Sequence, residues 1–362
     1  VAQNNKRKDQ VMHITREVIT IIVLNWNRWK DTEELLRSLN KVECNNLSCY
    51  IVLIDNGSSD SSVSKLLEWF RKNSVNVLLI TEEDARSCGM YNINSSSYNV
   101  IFIINQRNYG YAGGMNRGIT FSKNCLKADY VVLLNNDTVA DKYFIIEMYK
   151  VFKYSKIGEK VGVAGPKVLN YYANDVIPID QYILPMPFAS VLMMLFDNIA
   201  VTNKHYISGK PLVVHRLDGS CYMIKTKVFE EVGMLNEGFF TYWEDTDFFV
   251  RIREHGYFIV LVPKSIVKHK VGAANKALKR ANPRASYYFG RNAIHFINLH
   301  YKGINKMIVL LIFILISTYI FFNYLFYYRN LNAARLFLLG VVKGLLKERG
   351  KSTLLDMLLK QR

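Results

Sequence analysis

Two short acidic clusters hold most of the chemistry that this sequence can offer. The first is Asn135-Asn136-Asp137, which follows the apolar run YVVLL at 130–134. One carboxylate and two amides at a strand end suit a hard divalent cation that takes its other ligands from a diphosphate and water. An Asx turn before the next helix explains the same residues. The second cluster is Trp243-Glu244-Asp245-Thr246-Asp247, with three carboxylates in four residues. A carboxylate here could remove a proton from an acceptor hydroxyl. Acids in the first turn of a helix also complement its dipole, which would account for Glu244 or Asp247.

Three further groups are candidates. Asp55 lies in LIDNGSSD, residues 53–60, where a carboxylate at a strand end can accept bonds from a ribose hydroxyl or a base N–H. Turn formation by Asn, Gly and Ser is the plain alternative. NYGYAGGMNRG at 108–118 puts four glycines around a helix start, which would let a phosphate approach free N–H groups. His269 stands between Lys268 and Lys270 at a strand end, either as a ligand beside phosphate-binding lysines or as a structural histidine.

These residues need a scaffold that gathers strand ends. Apolar, β-branched runs at 18–24, 50–54, 75–80, 100–105 and 130–134 alternate with helical patterns at 31–40, 60–72, 112–123 and 141–154. That alternation predicts βαβ units around a mostly parallel sheet, an α/β fold that binds ligands beyond the carboxyl ends of its strands. After residue 161, short strands are expected at VGVAG, LVVHRL and CYMIK, then at 257–262 and 265–269, with helices ending at 255 and covering 283–301. The first strand runs into Asn25-Trp26-Asn27, not a GxGxxG turn, so a dehydrogenase-type dinucleotide fold is disfavoured. No GxxxxGK[ST] or GxSxG motif occurs, which argues against a P-loop NTPase and an α/β hydrolase.

The chain has 362 residues and a net charge of +17, and that charge is unevenly placed. Residues 263–362 hold 18 Lys and Arg against Glu348 and Asp356, while the rest is nearly balanced. The same region contains MIVLLIFILISTYIFFNYLF at 307–326, long enough to span a bilayer's hydrocarbon core. It is read as a spanning, re-entrant or in-plane membrane helix, with a buried core helix as the alternative. Basic residues on both sides, among them Lys302, Lys306, Arg329, Arg335, Lys343 and Lys347, favour an anionic membrane over nucleic acid as partner. Residues 1–17 read as a polar lead-in without the apolar run of a secretory signal. Residues 184–201, LPMPFASVLMMLFDNIAV, read as core or as an apolar surface for an acceptor. The five cysteines, irregularly spaced and without a CxxC pair, suggest free thiols in a reducing compartment.

The order of these motifs resembles one family. NWN, IDNGSSD, NYGYAGGMNRG, LLNNDT, LDGSCYMIKTKVFEEVG, YWEDTDFFVRIREHGY and KHKVG together look like the inverting family-two glycosyltransferases of the GT-A fold, in the rhamnosyl- and galactofuranosyl-transferase-like branch. The resemblance spans about residues 18–301. It implies a Rossmann-like sheet with flanking helices, plus C-terminal membrane-associating helices. A GT-A catalytic domain would occupy 18–262. A basic loop and helix at 263–306 would complete the site, and 307–362 would carry the membrane segment and amphipathic tail.

The resemblance also implies roles. Asn25, Asn27 and Asp55 would line the nucleoside pocket. Asn108, Gly113 and Asn116 would shape the sugar and diphosphate side, with Asn135, Asn136 and Glu244 among the donor contacts. Asp137 and His269 would hold Mg2+ or Mn2+, and Asp245 would be the catalytic base. Tyr288, Arg291 and Asn292 match a YYxxRN-like stretch. The donor would be a nucleotide sugar, UDP- or dTDP-linked, and the acceptor a lipid-linked glycan at the cytoplasmic face of a membrane. Two departures stand out. Asn135 replaces the first acid of the metal motif, which implies a weaker site, and residues 81–99 look inserted. A polyprenyl-phosphate sugar synthase is the nearest alternative, although that group usually shows a DAD-type metal motif. A sugar nucleotidyltransferase and a non-catalytic membrane-binding protein are the others.

Overall fold

The computed structural model describes residues 16–88, 99–176, 208–270 and 282–360. Its first half follows the expected alternation: β1 (Val18–Asn25), α1 (Trp29–Leu39), β2 (Ser48–Asp55), α2 (Ser62–Lys72), β3 (Val77–Thr81), α3 (Glu82–Ser87), β4 (Val100–Ile104), α4 (Gly110–Asn124) and β5 (Tyr130–Asn135). There follow β6 (Thr138–Ala140), α5 (Phe144–Tyr154), β7 (Val161–Asn170), β8 (Leu212–Val214), β9 (Cys221–Lys225), α6 (Val228–Val232), α7 (Glu244–Glu254) and β10 (Phe258–His269). The C-terminal part is helical: α8 (Pro283–His300), α9 (Gly303–Phe322, continued by a π turn over Asn323–Tyr327), α10 (Leu331–Leu345) and α11 (Thr353–Lys360).

All ten strands join one sheet in the order β3-β4-β2-β1-β5-β9-β7-β10-β6, with β8 also on β10. Strands β3, β4, β2, β1 and β5 are all parallel. The inner strands β4, β1 and β5 and the end of β2 are buried on both faces, as parallel strands between helices must be, while β3 is a partly exposed edge. In β1, Ile19, Ile21 and Val23 join a core with α1, α2 and α5. Ile22 points the other way, into a core with α4, α6 and α7.

The second half corrects several expectations. The strands predicted at 257–262 and 265–269 are one strand, β10, with a register shift between Val262 and Ile266. Pro263 has no N–H to give the ladder, so pairing lapses there while the chain stays extended. Strand β6 was not foreseen: its three residues are too few for a periodic signal. It pairs antiparallel with the end of β10, His269 opposite Thr138.

The glycines of α4 serve packing. A Cβ on Gly118 would lie 2.5 Å from Ile22 Cγ2, and one on Gly114 2.5 Å from Leu24 Cδ1, so the helix sits directly on the sheet. Its first N–H groups are not left for phosphate. Gly110 N donates to Asn108 Oδ1 at 2.7 Å, and Tyr111 N to the carbonyl of Phe240 at 2.6 Å.

The cysteines also differ from expectation. Cys44 pairs with Cys49 and Cys88 with Cys125, leaving Cys221 free and buried. Spacing along the chain does not reveal such approaches, since 37 residues separate the second pair while its Cα atoms lie 5.2 Å apart.

Of the segment at 81–99, Thr81 caps the short α3 through a reciprocal box with Asp84, and residues 89–98 lie outside the described residues. So do residues 1–15 and the apolar stretch at 184–201. Helix α9 with its π turn is long and apolar enough to cross a membrane, and it is the single such helix among the described residues. Only 22% of its most apolar window is buried, which is not the burial of a core helix. Val309, Phe313 and Ile316 form its inner stripe and share a core with Phe239 and Val250 of the α/β unit. Met307, Leu311, Leu315 and Tyr319 face outward.

Candidate active site

The carboxyl ends of β1, β2 and β5 lie at one level, because parallel register sets Asn25 beside Asp55 and Leu24 beside Asn135. A hydrogen-bonded chain links them. Asn136 Nδ2 donates to Thr32 Oγ1 at 3.0 Å, and Thr32 Oγ1 donates to Asn25 Oδ1 at 2.8 Å. Asn25 Nδ2 then donates to Asp55 Oδ1 at 2.8 Å. Asp55 also accepts from Ser58 N at 2.9 Å and Ser58 Oγ at 2.6 Å. Asn27, held at φ 54°, accepts from Ser59 N at 2.8 Å, so the NWN and DNGSSD segments are joined.

Beyond these strand ends opens a cavity of about 660 Å3, lined among others by Asn135, Arg216, Asp218, Trp243, Glu244, Asp245 and His269. Pairing of β6 with β10 brings Asp137 to His269. Lys270 N donates to Asp137 O at 2.9 Å, and Asp137 Oδ1 lies 3.1 Å from His269 Nε2. Asp218 Oδ1 stands 3.8 Å from His269 Nδ1. The hydrogen bond to His269 holds the Asp137 carboxyl below its usual range against the opposing effect of burial.

The three acids at the start of α7 divide. Asp247 is buried and occupied: its carboxylate takes Arg251 Nε at 2.9 Å and lies 2.8 Å from His300 Nε2, tying α7 to α8. Glu244 and Asp245 face the cavity. Burial is the main cause that raises both above the usual carboxylate range, and the Asp245 charge adds to it for Glu244, pushed up to about 8. Opposing its own burial, Asp245 has the Arg216 charge and a 2.7 Å bond from Thr246 N. Of the pair, Asp245 is the one with a positive charge beside it that favours a carboxylate.

Five buried polar atoms of cavity residues have no hydrogen-bond partner among the described residues: Asn135 Oδ1, Ser220 Oγ, Trp243 Nε1, Glu244 Oε2 and His269 Nδ1. Buried polar groups are nearly always paired, so such a concentration marks a place where a polar ligand or water completes the bonding.

The predicted site residues thus fall into three groups. Asn135, Glu244, Asp245 and His269 line the cavity, with Asp137 bonded to His269. Asn25, Asn27, Asp55 and Asn136 form the adjoining network. The α4 group is turned elsewhere: Asn116 bonds Leu235 O at 2.9 Å and Glu237 Oε1 at 3.0 Å, Gly113 packs on Tyr109, and Asn108 accepts from Asn56 at 3.2 Å.

Arg216 and Asp218 were not singled out from the sequence, and Trp243 was named there only as the start of the second cluster. Strand β9 is antiparallel to β5, so the segment leading into it arrives at the ligand-binding edge. Asn135 N bonds Ser220 O there at 2.8 Å. The motif LDGSCYM carried that signal.

For a divalent cation, the candidate donors are Asp137 and His269. No group of three His, Cys, Asp or Glu side chains converges on a metal position among the described residues. Two protein ligands fit a cation that a diphosphate also holds, and do not fit a cage built by protein alone.

Comparison with known proteins agrees in family and fold. Residues 20–233 match the model for Glycosyl transferase family 2, and residues 130–343 the model for Glycosyl transferase family group 2. The chain is 27% identical over 235 residues to the low-salt glycan biosynthesis hexosyltransferase Agl10 of Haloferax volcanii, which covers 65% of this chain and 61% of that protein. It therefore spans about three fifths of that relative's length. Among solved structures, the mannosyltransferase PcManGT of Pyrobaculum calidifontis, in complex with GDP-Man and Mn2+, superposes with a TM-score of 0.51 at 13% identity. That match covers 92% of this chain and 89% of the other, and it supports the GT-A arrangement of the sheet and helices.

Proposed function

The chain belongs to glycosyl transferase family 2, and we propose that it moves a sugar from a nucleotide-diphosphate donor to an acceptor hydroxyl with inversion. One observation carries the reading. The Glu244–Asp245 carboxyl pair and His269, itself bonded to Asp137, stand at a single cavity at the carboxyl ends of the strands, where five buried polar atoms lack hydrogen-bond partners among the described residues. The nucleoside would lie over Asn25, Asn27 and Asp55, with the diphosphate toward Asn135, Asn136 and Asp137. A divalent cation, Mg2+ or Mn2+, held by Asp137 and His269 would neutralise charge on the departing diphosphate.

Asp245 takes the proton of the acceptor hydroxyl as its oxygen attacks the anomeric carbon from the face opposite the nucleotide. One displacement inverts the centre. Glu244, held protonated beside it by burial, spares the site a second negative charge. The name of the Haloferax relative favours a hexose, and the order of motifs favours the rhamnosyl- and galactofuranosyl-transferase-like branch.

The acceptor we propose is a lipid-linked glycan at the cytoplasmic face of an anionic membrane. The outward apolar face of α9 and the basic residues that flank it support this.

The test is nucleoside-diphosphate release from UDP-, GDP- and dTDP-sugars, with Mn2+ or EDTA and a lipid extract as acceptor source. Cation-dependent release from one donor is expected. Asp245→Asn should retain the fold and lose at least about 10²-fold in rate, the contribution of a positioned general base. Full activity in that variant would remove Asp245 from the mechanism. In a sedimentation arm, Leu311→Lys with Leu315→Lys should shift the full chain from vesicle pellet to supernatant. Unchanged pelleting would count against attachment through α9.

A further inference from the structure

The turn that delivers Glu244 and Asp245 is held from the C-terminal helices. Phe240, Tyr242 and Trp243 have φ values of 64°, 65° and 77°. Large side chains keep that left-handed conformation only where their surroundings impose it. Here α8 imposes it. The Asn292 amide nitrogen lies 2.9, 2.7 and 2.8 Å from the carbonyl oxygens of Phe239, Thr241 and Tyr242.

Arg291, fully buried beside it, donates to Phe239 O at 2.8 Å and Gly350 O at 2.5 Å, and twice to Asn292 Oδ1 at 2.9 and 2.7 Å. Its ion pair with Glu348 is long, at 3.9 Å. A guanidinium spent mainly on backbone carbonyls fastens segments together. Gly350 N closes the loop with Gly238 O at 2.7 Å.

Glycines allow the helices behind this clamp to meet. A Cβ on Gly344 of α10 would stand 2.7 Å from Arg291 O, and one on Gly290 of α8 2.6 Å from Phe337 O. Small residues at such positions let helix backbones approach closely.

We infer that Asn292, with Arg291, is a positioning residue for the carboxyl pair, so that the C-terminal helices shape the active site as well as any membrane attachment. The inference rests on the reading of Glu244 and Asp245 given above. Neither Arg291 nor Asn292 lines the cavity, so both act through the turn from Phe239 to Trp243.

The test uses the full chain and two readouts. Hydrogen exchange is followed in peptides covering residues 239–246 for wild type, Asn292→Ala and Tyr287→Phe. Tyr287→Phe removes bonds from Tyr287 Oη to Glu348 (2.5 Å) and Ser352 (3.0 Å) behind the same clamp while keeping the ring that packs with Phe240. Exchange in 239–246 should accelerate at least about tenfold in Asn292→Ala and stay unchanged in Tyr287→Phe. With the donor found above, kcat should fall about 10–100-fold in Asn292→Ala while donor KM stays within about threefold.

Should Asn292→Ala fail to fold, Asn292→Ser carries the same measurements with a small polar side chain. Unaltered exchange, or an equal kcat loss in Tyr287→Phe, overturns the inference. The exchange arm needs no donor. A silent donor panel would therefore strike the transferase reading, while exchange alone decides whether the clamp exists.

Discussion

Two sets of polar residues sit at the same edge of one sheet, and they are finished differently. From Asn136 through Thr32 and Asn25 to Asp55, each link is a protein–protein hydrogen bond of 2.8–3.0 Å. A few residues away, five buried polar atoms around the cavity have no hydrogen-bond partner among the described residues. Leaving such a group unpaired costs about 1–3 kcal/mol, so a fold tolerates a cluster of them only where a ligand or water completes it. The closed network holds strand ends at a fixed height. In the proposed reading, the nucleoside rests on the closed network and the reacting groups meet the open set.

The sharpest way to break the open set without touching its charges is through Gly219. A Cβ there would overlap Asp245 Oδ2, so the carboxylate needs this glycine for room alone. Gly219→Ala should push the Asp245 carboxylate aside and cost about 10²-fold in kcat, the typical penalty for a reacting group misplaced by about 1 Å. Thermal stability and donor KM should change little. Steady-state kinetics decide it: a variant with wild-type kcat would mean that the carboxylate has slack and that its placement is not critical.

What the sequence reveals follows the same division. The parallel half was legible because continuous apolar strands between amphipathic helices have one stable arrangement, and NWN, DNGSSD and NND then had to fall at strand ends. Asp137 and His269 could be named, but their meeting depends on β6, a strand of three residues too short to carry a pattern. Arg216 and Asp218 were hidden by direction: an antiparallel strand brings its leading segment, not its trailing one, to the ligand edge. The α4 glycines misled because close packing on Ile22 and Leu24 asks for the same residues as a phosphate loop. The grip of Asn292 on the turn was not visible at all, since 50 residues separate it from Tyr242.

A smaller effect should separate the two carboxyls of the open set. Burial and the neighbouring Asp245 charge raise Glu244 from 4.5 to about 8 in the folded chain. Between those values the folded state keeps a proton that the unfolded state has lost. Stability from this group is therefore complete below about pH 4.5, declines as pH rises toward 8 and is level above it. Glu244→Gln cannot titrate, so its melting temperature should be flatter over that interval and higher than wild type at pH 8, by a few degrees. Parallel melting profiles for the two proteins across this range would show that Glu244 is solvated and ionised, and that Asp245 lacks the protonated partner assigned to it.

The smallest effect belongs to the closed network. Thr32→Val keeps the side-chain shape but removes the hydroxyl that joins Asn136 to Asn25. Both amides then lose a buried partner, at a cost of about 1–3 kcal/mol in stability. If the network only holds the strand ends under the nucleoside, kcat should stay within about twofold while donor KM rises several-fold, because the lost bond acts on binding in ground and transition states alike. A tenfold fall in kcat at unchanged KM would erase the distinction drawn here. It would place Thr32 and Asn25 with the groups that act in the transition state, whatever the completeness of their own hydrogen bonds.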